Sequence, residues 1–311
     1  MLARSQTTHT PGDLALWHPR YWGYQLASLL LRLLVLLPLP WLRRLGGGLG
    51  ILFGRLSRRR RHIVEVNLRL CFPTLSDQER RSLLREHFRA AGAGVFEAAF
   101  SWWASERRLP ELYTITGLEH LESALHKGRG VLLLSAHFTT LELLGRFLLR
   151  EHPIALMYRP NENPVIEHLF SKHRGRGALR AIRKDDARGA IVALRDNLAL
   201  WYAPDQRMGG RHSALVPFFG VPASTSTATH RLARATGALV VPFFGVRDAT
   251  GHYRLALQPA LEGFPSNDSE LDAARINQVI EAAIREAPEQ YLWSHRRFRK
   301  RPGIDDPYSI A

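Results

Sequence analysis

Apolar residues along the chain fall into two kinds of run. Five are short and almost unbroken: Val131–Ser135, Ile154–Tyr158, Leu198–Ala203, Leu239–Phe244 and Tyr253–Leu257. Continuous rather than alternating apolar character predicts strands covered on both faces. The helix-compatible stretches between them predict crossovers. Ser76 to Ala99 has amphipathic spacing, and Ser76 with Glu79 makes a Ser-x-x-Glu helix start. Together these predict an α/β layer fold, one domain with a mostly buried central sheet flanked by helices. "VPFFG" occurs twice, at Val216–Gly220 and Val241–Gly245, but the flanking residues do not match, so no internal repeat is inferred.

The remaining run is longer. Tyr21 to Leu42 reads "YWGYQLASLLLRLLVLLPLPWL", close to the ~20 residues that span a ~30 Å hydrocarbon core. Nine leucines lie between Leu26 and Leu39; at roughly −0.5 kcal/mol each they outweigh Arg32, which costs roughly 2.5–3.5 kcal/mol. Pro38 and Pro40 shorten the regular helix. The expectation is an N-terminal hydrophobic membrane-anchor helix, either spanning or lying in the interface. It divides the chain into a tail and anchor over 1–45 and a body over 46–311, with the glycines of "GGG" (Gly46–Gly48) and Gly50 loosening the join. Arg43, Arg44, Arg55 and Arg58 to Arg61 follow the run, against Arg4 and Arg20 before it. By the positive-inside bias the body is cytoplasmic.

Charge extends this picture. Lys and Arg number 43 against 28 Asp and Glu, a formal net charge of +15. Such a chain is drawn to polyanions: nucleic acid, anionic lipid headgroups or acidic carrier proteins. A basic cluster directly behind an apolar run favours anionic lipid. No nucleic-acid motif and no stacking platform of interleaved aromatics is found, so nucleic acid is not expected as a partner. Cys71 is the only cysteine, which excludes an intrachain disulfide.

In open α/β sheets ligands bind beyond the carboxyl ends of the strands. Three runs lead there to chemically useful residues: Val131–Ser135 to His137, Ile154–Tyr158 to Arg159 in "YRPNENP", and Leu198–Ala203 to Asp205 in "YAPDQ". Glu142 follows His137 by five positions. Fourteen histidines among 28 acids in 311 residues yield about 1.3 such spacings by chance, so the position, not the count, is informative. Two readings stand side by side. Glu142 closes a Thr-x-x-Glu capping box with Thr139 while His137 is a core histidine; or Glu142 holds the imidazole in the tautomer that takes a proton from a hydroxyl. Arg159 is a phosphate ligand or a surface ion pair, and Asp205 a site carboxylate or a turn residue after Pro204. "WSHRRFRKRP", Trp293–Pro302, is a membrane-, phosphate- or carrier-facing patch or an exposed basic tail. There is no Gly-x-Ser-x-Gly elbow and no His-Glu-x-x-His metal motif, so neither a protein nucleophile nor a metal is expected.

Seven segments occur in a familiar order: "NLRLCFP" (Asn67–Pro73), "AHFTTLE" (Ala136–Glu142), "YRPNENP" (Tyr158–Pro164), "RKDDARG" (Arg183–Gly189), "WYAPDQ" (Trp201–Gln206), "VPFFGVPAST" (Val216–Thr225) and "WSHRRFRKRP". The chain resembles the bacterial lipid A biosynthesis late acyltransferases, the lauroyl-type members most, over nearly its whole length. The resemblance implies a single catalytic domain at the inner membrane, facing the cytoplasm. It implies acyl transfer from an acyl carrier protein thioester to a hydroxyl on an acyl chain of a Kdo-bearing lipid A precursor, without a cofactor or a covalent acyl-enzyme. His137 would be the general base and Glu142 its partner, with Arg159, Asp205 and Asn67 in the supporting site. Relatives often carry an acid where Arg207 stands. The alternatives are an acyl-CoA-dependent glycolipid acyltransferase, such as one acylating phosphatidylinositol mannosides, and a non-catalytic basic membrane-bound scaffold.

Overall fold

A computed structural model describes residues 18–174, 177–299 and 305–309; Arg4 and the last residues of the "WSHRRFRKRP" segment lie outside them. Four helices lead the chain: α1 (Trp22–Leu34), α2 (Leu39–Leu56), α3 (Arg58–Cys71) and α4 (Asp77–Trp103). The body then alternates: β1 (Tyr113–Thr116), α5 (Leu118–His126), β2 (Val131–Leu134), α6 (Leu141–Glu151), β3 (Ala155–Tyr158), α7 (Pro164–Arg174), β4 (Arg180–Arg183), α8 (Ala187–Arg195) and β5 (Ala199–Tyr202). A hairpin of β6 (Ser213–Phe218) and β7 (Val221–Ser226) follows, then α9 (Ala228–Thr236), β8 (Leu239–Arg247), β9 (Tyr253–Leu257) and α10 (Ser269–Glu286).

The sheet runs β1-β9-β8-β2-β5-β3-β4. From β8 to β4 all neighbours are parallel, while β9 runs antiparallel to β8 and carries β1 in parallel with itself. All five expected strands form. In β2 the continuous apolar character has the predicted cause: Leu132 and Leu134 enter one core while Val131 and Leu133 enter the other, on the opposite face. In β9 the expectation fails, because buried and exposed residues alternate along Tyr253–Leu257 and only one face is covered. The unexpected strands β1 and β4 sit at the two edges, where one flank needs no apolar cover; β4 reads "RAIR", with only Ile182 buried.

The two copies of "VPFFG" have different fates. The second lies within β8, while the first runs from β6 into a two-residue hairpin turn in which Phe219 and Gly220 both take positive φ, 51° and 74°. Hairpins favour this turn because its twist matches the strands, and glycine is at ease in its second position. The expected helix start at Ser76 is present as a complete capping box with Glu79.

The N-terminal expectation is corrected. The apolar run is broken at Val35–Pro38 into two helices, and no helix among the described residues is long and apolar enough to cross a membrane. The thirteen residues of α1 reach only ~20 Å at 1.5 Å per residue, and α2, capped by Pro38, carries Arg43, Arg44 and Arg55. What remains is an apolar stripe facing outward: Leu26, Leu29, Leu30 and Leu33 on α1 and Trp41, Leu45, Leu49, Leu52 and Phe53 on α2 are all exposed. The division expected at 45/46 falls inside α2.

The glycines there do not loosen a join; they make a close contact. A Cβ on Gly50 would lie 2.0 Å from the Phe88 carbonyl oxygen, and one on Gly92 would lie 2.1 Å from that of Gly46. The backbones of α2 and α4 therefore touch where they cross.

Candidate active site

Strands β2 and β5 are adjacent and parallel, with Leu134 opposite Tyr202, so the loops leaving them start side by side. The Ser135 N–H still reaches the Tyr202 carbonyl at 3.0 Å; beyond it the loops carry His137 and Asp205 towards each other. Asp205 Oδ1 lies 2.6 Å from His137 Nδ1, and Oδ2 accepts the His137 backbone N–H at 3.1 Å. One carboxylate thus holds both the ring and the backbone that bears it. Asp205 is 1% exposed, whereas the His137 side chain is 30% exposed.

Burial alone would raise the Asp205 pKa. The imidazole charge, both hydrogen bonds from His137 and one from the Tyr291 hydroxyl outweigh it and hold the group below the usual carboxylate range. An ionised Asp205 accepting from Nδ1 selects the tautomer with the proton there, leaving the lone pair on Nε2.

The backbone around His137 is pinned by a segment far along the chain. The Leu292 N–H donates to the His137 carbonyl at 2.9 Å, and Thr139 N–H donates to the Gln290 carbonyl at 2.7 Å. Phe138 and Tyr291 form a bridge between them. The capping box, one of the two readings of Thr139 and Glu142, does not form. Helix α6 begins at Leu141 after Thr140, with no side-chain cap, and the hydroxyls of Thr139 and Thr140 are buried without a hydrogen-bond partner. Glu142 lies in the first turn of α6 and accepts from the Trp102 indole N–H at 3.4 Å.

The other expected residues divide. Asn67 is 1% exposed and donates to the carbonyls of Trp293 and His295 at 2.6 and 2.8 Å, while its own oxygen accepts from Tyr308. It ties α3 to the C-terminal segment that flanks His137. Arg159 stands just past β3, on the same rim of the sheet, 67% exposed and 3.8 Å from Glu162. Arg207 joins the C-terminal segment too: its N–H donates to His295 Nε2 at 3.1 Å and its Nε to the Arg299 carbonyl at 3.0 Å.

"WSHRRFRKRP" is neither an exposed tail nor a plain basic patch. Trp293, Arg297 and Phe298 are at most 3% exposed. The Arg297 guanidinium donates to the Ser224 carbonyl and the Thr225 hydroxyl at 2.6 and 2.7 Å and lies over the Phe218 ring. Tyr291 was missed from sequence, and His295 was singled out only as part of "WSHRRFRKRP". The one sign of Tyr291 was a short apolar stretch, "YLW", after a helix. Burial pushes His295 down to about 4, with Asp205 opposing and Arg297 assisting. Among the described residues no group of histidine, cysteine, aspartate and glutamate is placed to hold a metal ion.

A histidine–aspartate pair on the carboxyl rim of an α/β sheet is an arrangement able to take a proton from a hydroxyl. The family model for bacterial lipid A biosynthesis acyltransferases matches residues 10–300. The lipid A biosynthesis lauroyltransferase of Escherichia coli K12 is 42% identical over 94% of this chain and 97% of its own. The palmitoleoyltransferase of the same organism is 38% identical over 92% of this chain and 94% of its own, and the myristoyltransferase 30% identical over 95% and 93%. The chain belongs to the bacterial lipid A biosynthesis acyltransferase family.

Proposed function

We propose that this acyltransferase moves a fatty acyl chain from an acyl carrier protein thioester to a hydroxyl on an acyl chain of a Kdo-bearing lipid A precursor. The observation that carries the reading is the 2.6 Å contact of buried Asp205 with Nδ1 of half-buried His137. With Nδ1 protonated, Nε2 takes the proton of the acceptor hydroxyl as its oxygen attacks the thioester carbonyl. The tetrahedral adduct collapses with loss of the carrier's thiolate, which recovers the proton from the imidazolium; an acyloxyacyl ester and a free carrier thiol result. Asp205 stabilises the imidazolium and keeps the ring in register. Glu142, in the first turn of α6, is the second carboxylate assigned to it, and Arg159 the cation for a headgroup phosphate.

The exposed apolar face of α1 and α2, flanked by Arg43, Arg44, Arg55 and Arg58 to Arg61, supports a membrane location. These helices lie in the interface of the inner membrane on its cytoplasmic side, with the apolar stripe in the acyl region and the arginines on anionic headgroups. The net charge of +15 also suits an acidic carrier protein.

The test is purified enzyme with acyl carrier protein or CoA thioesters and the Kdo-bearing acceptor, read by mass spectrometry. A product heavier by one acyl chain from the carrier thioester supports the reading. Transfer from CoA alone, or full transfer by His137→Ala, overturns the donor or the base respectively.

A further inference from the structure

The bend between α1 and α2 and the carboxyl end of α4 enclose a groove of about 810 Å³, within the ~300–1,000 Å³ of small-molecule sites. Val35, Leu36, Leu39, Phe100, Trp103 and Leu112 make its wall apolar. Its shape is set by Arg108, which donates to the carbonyls of Val35 and Leu37 at 2.5 and 2.6 Å while its guanidinium lies 4.6 Å from the Phe100 ring. The bend is therefore tied to the body through a polar clamp. Leu36, 78% exposed, belongs both to the groove and to the outward apolar face, so the groove opens onto that face.

Besides Arg108, which is spent on the clamp, a second cation lines the groove. Arg32 is exposed and, among the described residues, makes no ion pair. Glu106, beside the lining residue Ser105, is engaged by Arg146 and Arg150 at 2.6 and 3.3 Å. At a membrane surface such a guanidinium is attracted to an anionic headgroup. Apolar wall, uncompensated cation and continuity with the apolar stripe describe an amphiphile with a negative head.

We propose that this groove binds one acyl chain of an anionic membrane phospholipid, with its phosphate on Arg32, as a lipid separate from the acyl acceptor. The proposal stands apart from the acyl-transfer reading, because it concerns retention of a lipid and not turnover.

The experiment uses the full chain purified in detergent, incubated with phosphatidylglycerol or phosphatidylethanolamine and examined by native mass spectrometry, with acyl transfer measured in parallel. One phosphatidylglycerol per protein is expected to survive desolvation, in preference to phosphatidylethanolamine. Arg32→Gln should weaken phosphatidylglycerol retention roughly fivefold and erase the preference, as loss of one cation near anionic lipid implies. Ser105→Trp, a substitution at an exposed groove position, should abolish retention with circular dichroism and melting unchanged. Absence of a phosphatidylglycerol adduct on wild type, or undiminished retention by Ser105→Trp, overturns the proposal. So does displacement of the adduct by the acyl acceptor with a raised acceptor KM in Ser105→Trp, which would make the groove the acceptor's own.

Discussion

A carboxylate held at 2.6 Å from one imidazole nitrogen gives His137 and Asp205 distinct signatures. His137→Ala is expected to lower kcat by ~10²–10⁴, the usual contribution of a general base, with little change in melting temperature. Asp205→Asn places an amide donor against Nδ1 and favours the wrong tautomer; a comparable loss in kcat is expected, checked beside a thermal melt because the side chain is buried. Tyr291→Phe is subtler. Removing its hydrogen bond makes the Asp205 carboxylate a stronger acceptor and raises the affinity of His137 for a proton. The acid limb of the kcat/KM profile should therefore move to higher pH, by about half a unit to one unit, while KM for the acceptor stays put. His137 and Asp205 were legible because each follows a buried strand. Their contact was not, because it depends on β2 and β5 being neighbours, which no single strand's sequence specifies. Tyr291 carried no comparable sign: it acts from an irregular segment whose place is set by tertiary hydrogen bonds.

Among the elements, the buried strands were the most legible, since β2 is covered on both faces and has no room for polar alternation. The edge strands β1 and β4 and the break between α1 and α2 were not. The apolar run at Tyr21–Leu42 resembles a span in composition, but Pro38 turns it into two helices, and whether the second packs on the body depends on α4. The glycines show the ambiguity best, because flexibility and close approach use the same residue. The two roles predict opposite results. Gly50→Ala drives a methyl group into the α4 backbone and should destabilise the fold by about 1–3 kcal/mol or more, read from urea denaturation. Gly48→Ala meets nothing within 4 Å and should stabilise α2 by up to ~1 kcal/mol through helix propensity alone.

For the whole molecule, acid is the revealing variable. His87 and His295 are both pushed down to about 4, burial being the first cause in each. Folding therefore favours their neutral forms, and the unfolded chain binds more protons below its ordinary histidine pKa of about 6.5. Their contribution is complete above about 6.5 and is lost as pH falls through the window down to about 4, roughly 3 kcal/mol for each. Melting temperature measured between pH 7 and 4 should fall steeply, and His87→Gln should flatten the curve. Below that window the depressed Asp205 adds a loss of the same sign. Sequence showed the net charge of +15 but not these two histidines, because burial of a polar ring is decided by what packs on it. For His87 that includes the Glu289 carbonyl, 3.3 Å from Nδ1.

The cross-chain ties at the site also impose an order of events during synthesis. His137 is anchored by Leu292 and nearby Thr139 by Gln290, Asp205 by Tyr291, and Asn67 by Trp293 and His295. A ribosome releases the chain from its amino end, so His137 and Asp205 emerge long before the residues that lock them. The exposed leucines of α1 are available to lipid earlier still. Under the proposed function, the growing polypeptide presents its apolar helices first and completes the supports of the His137–Asp205 pair last, so acyl transfer would begin only once the carboxyl-terminal segment has docked.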